Sequence, residues 1–248
     1  MKKIIENTLK KVIEENSKKS ATSYRIPLLG YAKAEDPLFQ QLTTAGVPNH
    51  LLPTDLLPGA RTVAAFFLPF TGELVKRNRQ DPYVARSWAQ AYIDTNGLIN
   101  RCCQEIAAAL DGYGVKTAWQ QPTHNFDSEN LRARWSHKHV AYICGLGKFG
   151  LHHMLITPSG CAGRFGSLVI DYPLPPTPRK EIEPCLFFRE GKCQQCAKNC
   201  PSGALTPEGL DDRKCYDYLL EVDSFYSDLG FCDACGKCAT CGPCAVIG

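Results

Sequence analysis

The sequence predicts an α+β chain, with a larger cysteine-poor domain over residues 1–178 followed by a cysteine-dense module over 179–248. Three observations predict it. Ten of the fourteen cysteines lie between Cys185 and Cys244, and only Cys102, Cys103, Cys144 and Cys161 come earlier. Helical and strand-like patterns mix in the first part without a strict strand–helix–strand repeat, which argues against a doubly wound parallel sheet. The stretch "DYPLPPTPRK" (171–180) carries four prolines and reads as an extended connector.

The elements follow in order. Ile4, Ile5, Leu9, Val12 and Ile13 fall on one stripe of a 3.6-residue helix. Glu6, Lys10, Lys11, Glu14 and Glu15 break any apolar stretch a signal peptide would need there, so the start reads as helix and not as leader. "RTVAAFFLPF" (61–70) is an apolar, β-rich run after the turn residues Pro58 and Gly59, and reads as a buried strand. Residues 83–111 are helical in composition, with a break expected near Asn96-Gly97 and an end at "DGYG". "VKTAW" (115–119) is a second strand, and 129–143 reads as a helix stopped by "CGLGKFG". "MLITPSG" and "FGSLVIDYPL" give two further strands.

Size and charge bound the function. A chain of 248 residues can bury a real core. A net charge of +3 is too small to argue for nucleic acid or an anionic membrane surface. No apolar run approaches the roughly 20 residues of a membrane span. Tight C-x2-C spacings without a signal favour metal over secreted disulfides, and a cytoplasmic location is expected.

The spacing Cys193-x2-Cys196-x3-Cys200-Pro201 is most of the bacterial ferredoxin run C-x2-C-x2-C-x3-C-P, in which the cysteine before proline crosses to a second cluster. Cys185 supplies the missing first ligand, with "LFFREGK" looping out. By the crossing rule Cys185, Cys193, Cys196 and a late cysteine, Cys244, hold cluster one. Cys200, Cys215, Cys235 and Cys238 hold cluster two, and Cys232 and Cys241 compete for these places. Two [4Fe–4S] clusters are therefore expected. C-x2-C pairs also build zinc ribbons, but the Cys200-Pro201 step, the x3 spacing and the surplus of thiols weigh against zinc. A single cluster with spare thiols is a further alternative.

The densest stretch of the first domain is residues 135–176. Gly145, Gly147 and Gly150 form G-x-G-x-x-G, here after an expected helix and not after a strand, which makes a dinucleotide-binding reading poor. Taken together, "GLGKFGLHHMLITPSG", "RFGSLVIDYPLPP", "CQQCAKNCPSGAL" and "LDDRKCYDYLLE" resemble the epoxyqueuosine reductases and the related reductive dehalogenases, over roughly 130–240. The resemblance implies a nitroreductase-like, cobalamin-binding domain followed by a ferredoxin-like domain with two [4Fe–4S] clusters. It implies a cobalamin without a protein ligand on its lower face, lying along Gly145, Leu146, Gly147, Lys148, Gly150, Leu151, Thr157 and Ser159. It further implies a low-potential electron donor such as a ferredoxin or flavodoxin, and a small-molecule or modified-base substrate.

Two features depart from that family. Its aspartate proton donor sits in a D-S-x-P-x-x-E-like context before the glycines, whereas counting back from Gly145 reaches Leu131. Asp127 and Glu129 lie nearby in "NFDSEN", which lacks the proline. The family's helical tRNA-binding repeats are also absent from this sequence, and tight tRNA binding is not expected. Candidate proton donors are therefore Tyr142, His139 and His137, each of which reads equally as a packed or surface residue. Arg132, Arg134, Lys148 and Arg164 read either as partners of a cofactor's rim or as solvated surface. The rival function is a non-catalytic electron carrier whose first domain docks a partner and binds no corrinoid. Flavin in the same pocket is a third reading.

Overall fold

In the computed structural model, residues 1–46, 49–122 and 126–247 are described. The chain runs α1 (Lys2–Ser17), β1 (Leu28–Lys33), α2 (Pro37–Gln41), a π-helical turn over Leu42–Gly46, α3 (Pro53–Leu56), β2 (Thr62–Pro69), α4 (Gly72–Gln80) and α5 (Arg86–Asp111). It continues with β3 (Thr117–Ala118), β4 (Phe126–Asp127), β5 (Arg132–Ala133), α6 (His137–Ile143), β6 (Lys148–Phe149), β7 (Leu155–Ile156) and β8 (Gly163–Ile170). The cysteine-rich part holds α7 (Leu186–Glu190), α8 (Gln195–Lys198), β9 (Leu205–Thr206), β10 (Gly209–Leu210), α9 (Asp212–Phe225) and α10 (Lys237–Thr240).

The fold is mixed α and β around an antiparallel sheet of order β1-β2-β8-β3. Every residue of β2 is buried, as its unbroken apolar run requires. Period-two alternation sends its side chains to two faces. Ala64, Phe66 and Leu68 meet Ile5, Leu9, Ile99 and Ile106 of α1 and α5. Val63, Ala65 and Phe67 meet Trp135, Val140 and Ile143 at α6. A third cluster joins Phe70, Trp88 and Tyr92 to Val222, Tyr226 and Ala234, so the cysteine-rich part is packed directly on the N-terminal end of α5.

Three expectations are corrected. Helix α5 runs unbroken through Asn96-Gly97. Thr95, Leu98, Ile99 and Cys102 keep its buried stripe continuous, and that packing exceeds the ~1 kcal/mol a helical glycine costs. The helix expected over 129–143 begins only at His137. Before it, the Asp127 carboxylate accepts from the backbone N–H groups of Glu129 and Asn130, and Leu131 adopts φ 55°, which closes the β4–β5 hairpin instead. Strand β1 has no counterpart among the expected strands. It pairs with β2 through all six residues, and its other edge is partly covered by the connector: Tyr31 N–H donates to Thr177 Oγ1 and Thr177 N–H to the Tyr31 carbonyl.

Candidate metal centres

The cysteine-rich part is tied to the sheet by hydrogen bonds between backbone and buried polar groups. Cys161 N–H donates to the Cys244 carbonyl and Ala162 N–H to that of Ala245, each within 3.1 Å. Asn78 Nδ2 donates to the Cys235 carbonyl at 3.0 Å, and the buried Lys237 ammonium donates to the carbonyls of Asn78 and Asp81. Gly160, at φ 91°, lies so close to this seam that a Cβ there would come 2.4 Å from the Ala245 carbonyl oxygen.

Two adjacent cavities open along the seam. Cys185, Cys193, Cys196 and Cys244 line one of about 200 Å³, with Leu151, His152 and Pro243. Cys200, Cys215, Cys235 and Cys238 line another of about 320 Å³. These are the two sets of four the crossing rule gave. Cys232 instead is fully buried against α5, where its thiol faces the Ala89 carbonyl, and Cys241 lines neither cavity. Burial raises Cys196 to about 12 and Cys235 to about 11. Cys244 moves the other way, downward, through the neighbouring Cys161 thiol and His152. Four sulfurs about one cavity suit a cubane cluster, which takes four thiolates.

The larger cavity continues into a third, of about 420 Å³, through Lys138, Leu210, Cys215, Leu219 and Asp233, which line both. Its polar groups come from four distant segments. Tyr92 donates its hydroxyl to Asp233, and the Arg164 guanidinium lies 4.1 Å from the Tyr92 ring centre. Burial raises Asp233 above the usual carboxylate range. Burial likewise lowers Lys138, whose ammonium donates to the His153 carbonyl at 3.2 Å. Arg164 Nε is buried with no hydrogen-bond partner among the described residues, an orphan donor beside open space. These side chains escaped the sequence reading as a set because only the fold brings residues 92, 138, 164 and 233 together.

The expected donors separate. His137 lines the third cavity, its Nδ1 2.7 Å from Ser167 Oγ. Since Trp135 Nε1 donates to that oxygen at 2.9 Å, the serine proton is free to go to the imidazole. Burial, then the Arg164 charge, brings His137 down to about 4. His139 pairs with Ser136 Oγ at 2.7 Å and leans on Phe149. Burial, then the Lys138 charge, brings it to about 4. Neither His139 nor Tyr142 lines any of the three cavities. Tyr142 packs on Phe149, 5.8 Å between centres. The Asp127 carboxylate is engaged inside its own hairpin.

The glycine segment is used differently from the expectation. A Cβ at Gly147 would sit 2.2 Å from the Ile156 carbonyl oxygen, and one at Gly145 3.0 Å from that of Thr177. Gly150 is filled by Ile156 and His152. These glycines permit close approach of the chain to itself. Leu146 is core, Lys148 donates to the Glu181 carbonyl, and Thr157 with Ser159 forms a turn closed on Gly160. Of the segment's expected contacts only Leu151 reaches one of these cavities, beside Cys185, Cys193, Cys196 and Cys244.

No family model matches the chain. It is 27% identical to an epoxyqueuosine reductase of Bacillus cereus over 181 residues and 29% identical to that of Vibrio cholerae over 172, about 70% and 67% of this chain. The chain spans 43% of the length of each of these curated relatives. Among solved structures, epoxyqueuosine reductase from Bacillus subtilis superposes with a TM-score of 0.59 at 18% identity, covering 97% of this chain and 66% of that one. A catabolic reductive dehalogenase gives 0.62 at 14% identity, over 94% of this chain and 31% of its own. The chain shares their fold, and the resemblance read from its motifs agrees with these relatives.

Proposed function

We infer that the likeness to epoxyqueuosine reductases extends from fold to chemistry: the chain is an iron–sulfur oxidoreductase whose two [4Fe–4S] clusters feed electrons to the cavity at the seam. The observation that carries this is the sorting of eight cysteines into two groups of four about adjoining cavities. The cysteine-rich part is then a ferredoxin-like domain docked on a larger domain that ends near residue 178. Cys185, Cys193, Cys196 and Cys244 hold cluster one, and Cys200, Cys215, Cys235 and Cys238 hold cluster two.

The acceptor occupies the joined cavities beside cluster two. One of the solved relatives is described as a dehalogenase with B12-dependent chemistry, and a cobalamin is the acceptor favoured here. Its flanking residues would be Lys138, His153, Met154, Arg164 and Asp233, in place of the glycines. The orphan Arg164 Nε and the ammonium of Lys138 suit the amide and phosphate groups of such a molecule. When bound, it supplies a low-potential metal centre capable of two-electron reduction. The chain's part is to exclude water with Phe70, Trp88 and Tyr218, to orient the acceptor with Arg164 and Lys138, and to present the Asp233 carboxyl, which accepts from Tyr92, to the cavity.

The electrons come from a low-potential donor such as a ferredoxin or flavodoxin, and the substrate is a small molecule or a modified base. A solved epoxyqueuosine reductase carries an epoxyqueuosine-modified tRNA stem loop. With a net charge of +3 this chain is expected to bind such a stem loop weakly. The deciding experiment is anaerobic reconstitution followed by metal, sulfide and cofactor analysis. About eight irons and eight labile sulfides per chain are expected, with cobalamin taken up when added. Zinc in place of sulfide ends the reading. Clusters without cobalamin uptake leave an electron carrier that docks a partner.

A further inference from the structure

We infer that His152 tunes the reduction potential of cluster one by hydrogen-bonding to Cys244, from a position between the two clusters; this rests on the cluster assignment proposed above. Among the described residues, His152 is the one that lines both cysteine cavities. His152 is 4% exposed, so its ring finds its hydrogen-bond partners in the protein and not in solvent. The Met154 backbone N–H donates to His152 Nδ1 at 3.1 Å. A ring nitrogen that accepts carries no proton, so the neutral imidazole holds its proton on Nε2. That nitrogen lies 3.4 Å from Cys244 Sγ, within reach of an N–H···S bond.

The local chain is shaped to present this ring. Residues 150–153 turn tightly, with His153 N–H donating to the Gly150 carbonyl and His153 at φ 58°. A Cβ on Gly150 would come 3.0 Å from His152 Cε1, so glycine there leaves room for the imidazole. Cys161 stands on the other side: its sulfur, His152 and Cys244 lie within 4.8 Å of one another. The Cys161 thiol also faces the Ala239 carbonyl at 3.5 Å, which anchors it beside the corner.

A thiolate that accepts hydrogen bonds gives less charge to iron and so stabilises the reduced, more negative cluster. Cluster one is accordingly raised above the potential it would have without His152. Cluster two has no corresponding imidazole: among the described residues, no histidine is hydrogen-bonded to Cys200, Cys215, Cys235 or Cys238.

The test is an anaerobic redox titration followed by electron paramagnetic resonance, on reconstituted wild type, His152→Phe, His152→Asn and His152→Gln. All four proteins are expected to keep about eight irons. One midpoint should move to more negative potential in His152→Phe and His152→Asn, whose side chains cannot donate to Cys244, while the other stays. The longer amide of His152→Gln can donate, and should return that midpoint toward wild type. Unmoved midpoints, equal movement of both, a glutamine variant that behaves as phenylalanine, or loss of four irons in the asparagine variant each overturn the inference. Wild type that lacks labile sulfide refutes the cluster assignment itself, a result visible before any variant is compared.

Discussion

The guanidinium of Arg164 lies over the ring of Tyr92, 4.1 Å from its centre, while the hydroxyl of that tyrosine is committed to Asp233. One cation thus faces an aromatic ring whose far end serves a half-buried acid. Burial raises both Tyr92 and Asp233, and the Arg164 charge opposes each shift. The three form one electrostatic unit at the floor of the larger cavity.

Coupling inside this unit is measurable. Tyr92→Phe keeps the ring under Arg164 but leaves Asp233 without its hydroxyl donor, and should cost about 1–3 kcal/mol. Asp233→Asn keeps an acceptor and removes the charge. Urea unfolding of the two single variants and the double variant should give an interaction energy on the order of 1 kcal/mol or more. Strict additivity would show that the pair does not act as a unit.

Gly147 bears on stability before it bears on any cofactor. Its missing Cβ makes room for the Ile156 carbonyl, which a side chain would meet at 2.2 Å. The β6–β7 pair, joined through Lys148–Ile156 and Phe149–Leu155, cannot form around that clash. Gly147→Ala should lose about 3 kcal/mol, the upper end for overpacking, and Gly147→Val should accumulate unfolded. Denaturant midpoints decide it: a variant of normal stability that has lost only cofactor uptake would restore the corrin-edge role.

These glycines also show how far a sequence can be read. The clustering of thiols at 193–200 and 232–244 was legible because ligand spacing is a local geometric demand, which a short stretch of chain must itself satisfy. Strand β2 was legible because burial on both faces writes a continuous apolar run. Strand β1 was not, since "LLGYAK" is short and its Gly30 answers to a distant residue: a Cβ there would come 2.3 Å from the Cys144 carbonyl. The polar floor of Tyr92, Arg164 and Asp233 left no spacing signal, because its members meet only through β8 and the seam. A glycine motif records that backbone must come close to something; it does not say to what.

The buried imidazoles impose a pH dependence. Burial lowers His50, His137 and His139 below the ordinary value of 6.5, the latter two to about 4. Between about 4 and 6.5 the unfolded chain binds these protons and the folded chain does not, so stability falls as pH falls through that window. Above 6.5 the contribution is constant. His139→Asn should flatten the slope relative to wild type, as read from unfolding midpoints of both proteins compared at each pH between 5 and 7. Equal slopes would mean His139 titrates alike in the folded and unfolded chain.

The seam itself is the last point of leverage. Lys237 is 9% exposed, and its ammonium donates to the carbonyls of both Asn78 and Asp81, at the end of α4. It stands between Cys235 and Cys238, so the same two hydrogen bonds fix two of the cysteines proposed for cluster two against the larger part of the chain. Burial lowers Lys237, yet the accepting carbonyls compensate the desolvated charge. Lys237→Met fills the space but leaves two carbonyls without donors, at about 1–3 kcal/mol each. The larger consequence is local: the chain about Cys235 and Cys238 keeps only the Asn78–Cys235 bond of its anchors, while Cys185, Cys193 and Cys196 lose nothing. Reconstituted Lys237→Met should therefore show cluster two bleaching first under oxygen, with cluster one persisting as about four irons per chain. Simultaneous loss of both clusters, or a bleaching rate equal to wild type, would show that the seam does not hold cluster two in place.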